Sequence, residues 1–223
     1  MPFIYAVVWN LSRILIFLLG GRSYGAENIP GSGAFILASN HISYFDPPFV
    51  ASYTRRPFHF FAKKELFDIP IFGSILRRVQ AHPVRRGVFD RTAIKTAITI
   101  LKDGDPLVVF PEGTRGGGKE FLKPRPGVGM IARECEVPIL PCYIHGSNQA
   151  KSCLLRRAKL SVSYGTVIDS GWIQSCPLGR DGWEMITEEA MRRISLLKTR
   201  FAESQMNSKG PLLKESSSER GAT

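Results

Sequence analysis

The sequence predicts an α/β fold, a mixed and largely parallel central sheet flanked by helices, with an apolar helix in front of it. Three observations carry that expectation. Short apolar runs of strand length recur between Ala34 and Ile168. Helical patterns and Gly or Pro punctuation separate them. Polar residues with useful chemistry stand directly after two of the runs, where open α/β sheets collect their sites.

The N-terminal stretch MPFIYAVVWNLSRILIFLLG is apolar apart from Asn10, Ser12 and Arg13, and it stops at Gly20-Gly21. No basic segment precedes it and no small-residue cleavage site follows, so it does not read as a secretory signal. Arg13 would lie near mid-bilayer in a spanning helix, at a cost of roughly 2.5–3.5 kcal/mol. Residues 1–21 are therefore expected to lie in one leaflet, with Tyr5 and Trp9 at the headgroups and Arg13 reaching up to them. The competing reading is a core helix of the following domain. That domain is expected over residues 22–204, and the polar, Ser-rich residues 205–223 are expected to be a disordered tail.

Within the domain, AFILAS (34–39), PFHFFA (57–62), VQAHPV (79–84) and PLVVF (106–110) read as strands, followed by VPILPCYIH (137–145) and KLSVSYGTVI (159–168). Asp90 caps a helix whose Ala93, Ile94, Ala97, Ile98 and Leu101 share a face, and Asp103-Gly104 ends it. Residues 184–203 carry acids early and bases late, as a final helix should.

The 223 residues, 43% of them hydrophobic, suffice for one core. Collagen, coiled coil and wholesale disorder are excluded by composition. The four cysteines follow no framework spacing, so reduced thiols are expected. A formal charge of +11 calls for an anionic partner, phosphate first. Its Lys and Arg are scattered and no aromatic-interleaved module appears, which speaks against nucleic acid.

Chemistry concentrates in two places. In SNHISYFDPP, His41 is a candidate general base and Asp46 a candidate carboxylate to orient it. Five steps on an ideal helix put the two about 140° apart, so they meet only through a turn. The spacing fits equally an Asn-His helix start with Asp46 as its cap. In FPEGTRGGGKE, a planar cation beside small residues suits a phosphate, while a flexible surface loop is the bland alternative. No nucleotide loop and no GxSxG elbow occurs, and no Cys lies near a plausible base. A working dyad would then deprotonate an external hydroxyl that attacks an already activated acyl donor. Cys142 and His145 make only a weak case for zinc, and His59 and His82 read as structural for want of a partner in sequence.

These residues resemble the glycerolipid acyltransferases, in particular the 1-acylglycerol-3-phosphate (lysophosphatidic acid) acyltransferases. Four blocks carry the resemblance in order: NHISYFD, matching NHxxxxD; AKKELFDIPIFGSILRRVQAHPVRRG; FPEGTR; and VPILP. With FLKPRPGVGMIA it covers roughly residues 22–170. The resemblance implies a glycerol-3-phosphate acyltransferase-like fold and a membrane-associated enzyme, monotopic or peripheral on the cytoplasmic face. It implies His41 as general base on a lysophospholipid hydroxyl and Asp46 as its orienting partner. Lys63, Arg86, Glu112, Gly113, Thr114 and Arg115 would bind the acceptor and its phosphate, and Gly73 would place a turn. Pro138 and Pro141 would be structural or line the acyl site. The donor would be acyl-CoA or acyl carrier protein, with no cofactor or metal. Glycerol 3-phosphate, another lysophospholipid or an acylated amino-acid lipid stays open as acceptor, and a non-catalytic lipid-binding protein is the remaining alternative. The chain departs from many relatives at Gly116-Gly117-Gly118 and at Arg85.

Overall fold

The computed structural model describes residues 3–54, 56–118 and 120–207. Five strands run parallel through one sheet: β2 (Ile36–Ser39), β3 (His59–Lys63), β4 (Ala81–Val84), β5 (Leu107–Val109) and β6 (Ile139–His145). Strand β7 (Ser161–Tyr164) pairs antiparallel with β6, and β1 (Arg22–Tyr24) joins β7, giving the order β1-β7-β6-β2-β5-β3-β4. Every residue of β2 is buried, because helices cover both faces. That burial is why β2 reads as an unbroken apolar run and not as an alternating one.

On one face α4 (Arg91–Lys102), α5 (Gly127–Cys135) and α8 (Arg180–Asn207) pack against Ile36, Ala38, Leu107 and Ile139. On the other, α2 (Asp46–Ser52) covers Phe35, Leu37 and Leu140, and α1 (Phe3–Leu18) lies along α2. Short helices α3 (Pro70–Arg78), α6 (Ala150–Leu154) and α7 (Ser170–Ser175) complete the layers. Local chemistry sets the boundaries. Asp90 accepts from the Thr92 and Ala93 amides at the start of α4, and Gly104 turns the chain out of it at φ +88°. Ile186, Ala190, Ile194 and Phe201 form the buried stripe of α8.

Several expectations are corrected. Strand β1 is three residues with no apolar pattern, and a partly solvated edge strand needs none. Tyr5 and Trp9 face the protein: the Tyr5 hydroxyl accepts from the Phe58 amide at 2.8 Å, and the Trp9 indole donates to Ala51 O at 3.0 Å. Arg13 stacks on Trp9, 4.5 Å from the ring centre. The outer face of α1 carries exposed Phe3, Val7, Leu11, Ile14 and Leu18 at helical spacing. No helix among the described residues is long and apolar enough to cross a membrane. Helix α8 runs through Asn207, so the expected tail begins as helix, its last turns seated by buried Phe201; residues 208–223 lie outside the described residues. Gly73 is no turn. It sits inside α3, where a Cβ would stand 2.2 Å from Phe67 O. His59 and His82 do have partners, namely each other, at 2.8 Å between Nδ1 and Nε2.

Candidate active site

All five parallel strands point their carboxyl ends the same way, and each expected site residue lies at or just beyond one of those ends. Past β2, the chain leaves the sheet at Asn40, whose side-chain amide bonds both the amide and the carbonyl of Ile144. His41 follows. Its backbone N–H donates to Glu112 Oε1 at 3.0 Å, its carbonyl accepts from the Gly116 amide at 2.8 Å, and its ring stacks 4.1 Å from Phe110.

The turn that joins His41 to Asp46 is built by the carboxylate itself. Asp46 Oδ2 lies 2.8 Å from His41 Nδ1 and also accepts from the amides of Ile42 and Ser43. Asp46 thus draws the segment into a turn and sets the His41 ring, but it caps no helix: α2 starts at Asp46 itself, the cap position falls on Phe45, and the carboxylate bonds amides that precede the helix. Ser147 Oγ closes the set at 2.5 Å from Oδ1. Asp46 is fully buried and His41 nearly so. Four donors converge on this carboxylate; with the ring's Nδ1–H as one of them, Nε2 is left with its lone pair for chemistry.

Glu112 is engaged by backbone on both oxygens: Oε1 accepts from the His41 amide and Oε2 from the Leu122 amide at 2.8 Å. A buried carboxylate engaged on both oxygens is a brace. It ties the loop after β5 to the loop after β2, and the Gly116 amide on His41 O adds a second tie, while Gly117 and Gly118 are exposed. Gly113 holds φ +70° in that turn, with its amide on Phe110 O, and Thr114 is exposed at the rim.

Arg115 lies flat on Tyr44, 3.5 Å from the ring centre, and its Nε is buried with no hydrogen-bond partner among the described residues. Partial burial and then the Arg115 charge hold the pKa of Arg86 below its ordinary value. Two guanidinium groups that raise each other's energy form a place an anion would neutralise. Lys63 stands outermost, paired in register with Val84 and 3.5 Å from Glu65, whose carboxyl is lowered by its own backbone amide and by Lys63. Beside Tyr44, α1, α2 and α3 enclose an apolar cavity of about 490 Å³ lined by residues such as Trp9, Phe45, Phe72 and Ile75. Burial pushes the Cys142 and Cys153 thiols up, which keeps them unreactive. No group of three His, Cys, Asp or Glu among the described residues is placed to hold a metal ion.

A family model described as Acyltransferase matches residues 21–145, more than half of the chain. The chain belongs to the acyltransferase family. It is 29% identical over 199 residues to the 1-acyl-sn-glycerol-3-phosphate acyltransferase of Bacillus subtilis (strain 168), covering 88% of this chain and 98% of that protein. It is 31% identical to the enzyme of that name from Streptococcus pneumoniae (strain ATCC BAA-255 / R6), over 74% of this chain and 62% of the relative. The crystal structure of the 1-acyl-sn-glycerophosphate (LPA) acyltransferase PlsC from Thermotoga maritima superposes with a TM-score of 0.67 at 28% identity, covering 87% of this chain and 79% of that one. Within the acyltransferase fold, Ser147, Phe110 and Tyr44 are the site residues that sequence reasoning missed. Tyr44 lay inside the NHISYFD block and Phe110 opened FPEGTR; Ser147 carried no signal.

Proposed function

We propose that the chain is a 1-acylglycerol-3-phosphate O-acyltransferase that moves a fatty acyl group from a thioester onto the free hydroxyl of a lysophosphatidic acid. The observation that carries this reading is the buried His41–Asp46 pair at 2.8 Å, set beside the Arg115–Arg86 cation pair and an apolar cavity. His41 Nε2 takes the proton of the acceptor hydroxyl as its oxygen attacks the thioester carbonyl. The tetrahedral intermediate collapses, the C–S bond breaks, and the imidazolium returns the proton to the departing thiolate. A thioester is activated enough for direct attack, so no covalent enzyme intermediate is needed.

Arg115 and Arg86 hold the acceptor phosphate, Arg115 with its planar fork, and Lys63 adds charge at the rim. Tyr44 supports Arg115 on one side and borders the apolar cavity on the other, which lets one lipid place its headgroup and a chain at once. The donor is acyl-CoA or acyl carrier protein. The exposed apolar stripe of α1 supports a monotopic or peripheral seat on the cytoplasmic face of a membrane, where such acceptors reside. Residues 22–204 form the acyltransferase domain.

The test is release of free thiol from acyl-CoA and from acyl carrier protein thioester, with lysophosphatidic acid present or absent. Acceptor-dependent release that falls by at least about a thousandfold in His41→Ala is the expected result. Release that is independent of acceptor, or intact in the variant, overturns the reading.

A further inference from the structure

The membrane contact proposed above rests on α1, yet two more apolar corners lie at the carboxyl edge of the sheet. Leu154 and Leu155 follow β6 and are 61% and 62% exposed; Val88 and Phe89 follow β4 and are 62% and 70% exposed. Scattered exposed leucines need no explanation. These four occur as adjacent pairs, one at the end of α6 and one on the loop before α4, at the same end of the strands as His41, with the ends of β2 and β5 between them. Each pair is bordered by exposed arginines, Arg156 and Arg157 on one side and Arg85 and Arg91 on the other.

The first corner is rigidly joined to α1. Cys153 packs with Ile16 and Leu19 of the helix end, and the Arg156 guanidinium occupies the space a Cβ on Gly20 would need. Arg156 itself holds φ +58°, an unfavourable conformation for a side chain, fastened by its amide to Cys153 O. Leu154 and Leu155 therefore stand exposed on an element packed against the end of α1. The second corner is likewise fixed, because Asp90 accepts from the Arg85 amide at 2.8 Å while capping α4.

We infer that Leu154 with Leu155, and Val88 with Phe89, are two further feet on which the protein stands on an anionic lipid leaflet, so that the row of strand ends faces the membrane. This rests on the reading that the acceptor is a membrane lipid. Apolar tips dip below the headgroups while the flanking arginines meet anionic phosphates. A second copy of the chain is a poor occupant, since it would set arginine against arginine in a molecule of charge +11. The consequence is geometric: with feet on both sides, the mouth between β2 and β5 opens onto lipid, and an acceptor need not leave the leaflet to reach His41.

The experiment is flotation of the full chain with vesicles of phosphatidylcholine containing about 30 mol % phosphatidylglycerol. Val88→Asp/Phe89→Asp and Leu154→Asp/Leu155→Asp are each expected to weaken binding about tenfold, while thiol release with a short-chain, monomeric lysophosphatidic acid is unchanged. Phe89→Trp gives a reading that does not depend on lost binding: the fluorescence it adds is expected to be quenched by brominated lipid chains. Wild-type binding by both double variants, or added fluorescence in Phe89→Trp that brominated chains leave unquenched, overturns the proposal. So does equal binding of the wild type to pure phosphatidylcholine, or a wild-type dimer that the variants dissociate. If the wild type floats and the variants do not, yet no lysolipid elicits thiol release, the feet stand and the proposed reaction falls.

Discussion

Ser147 Oγ donates to Asp46 Oδ1 at 2.5 Å, joining the loop after β6 to the first residue of α2 across 101 positions of sequence. Both groups are buried, so this is a charge-assisted bond away from solvent. It holds the face of the carboxylate opposite His41.

Ser147→Ala is expected to lower kcat about tenfold, the worth of one hydrogen bond to a charged group, with the KM for acceptor within about twofold of wild type. Ser147→Cys, a weaker donor of similar size, should fall between the two. A change confined to KM would place Ser147 in substrate binding instead.

Glu112→Ala leaves two backbone N–H groups without their acceptor, those of His41 and Leu122. The expected cost is about 2–4 kcal/mol of stability in urea unfolding, together with reduced kcat as His41 loses its seat. Glu112→Gln keeps one acceptor oxygen and should lose about half as much stability.

Arg115→Lys keeps the charge and removes the fork and the stacking on Tyr44. The KM for lysophosphatidic acid is expected to rise about tenfold while the KM for the thioester stays near wild type. Steady-state kinetics in both substrates separates the effects.

The His59–His82 pair makes stability depend on pH. A bond between two ring nitrogens needs a proton on one and a lone pair on the other, so protonation of the acceptor breaks it. Burial lowers both pKa values below 6.5, more than the attraction of Asp105 raises that of His59, and His82 is further lowered by His59. Well above pH 6.5 folded and unfolded chains are both neutral at these sites and there is no penalty. Below it the unfolded chain takes up protons first, so stability falls as pH drops from 6.5 toward the lowered folded values. Tm measured across pH 7.5 to 5 should show this fall, and His59→Gln/His82→Gln should flatten it.

Gly129→Ala tests the seam between α5 and α8. A Cβ there would lie 2.0 Å from Trp183 O, a backbone atom that cannot swing away. Destabilisation of about 1–3 kcal/mol is expected, read as a lowered urea midpoint with kcat at saturating substrate little changed.

The strands that carry the site were legible because both faces of each are covered, so β2, β5 and β6 read as apolar runs bounded by turn residues. Helix α4 was legible from Asp90 and its apolar face, and α8 from its charge order. Three features had no such signature. β1 gains its place from pairing with Ser161–Tyr164 and from nothing in its own residues. The inward turn of Tyr5 and Trp9 depends on α2 lying beneath α1, which a list of apolar residues does not contain. At the site, His41 and Asp46 were legible as types; that Asp46 makes the turn itself by collecting the Ile42 and Ser43 amides was not. That Glu112 also braces two backbone amides, one of them 71 positions away, was hidden for the same reason.

The Asn40 side chain also bears on how the pocket stays sound. Where β2 stops, a primary amide offers Ile144 the same pair of groups that a further peptide unit would have offered, one oxygen and one N–H. It is a counterfeit peptide bond. The seam between β2 and β6 stays zipped for one more rung while the real main chain departs to carry His41 away. The base therefore stands at a fork in the sheet that the Asn40 amide holds closed for one further rung. Any side chain lacking one half of that amide would open the seam directly under the imidazole.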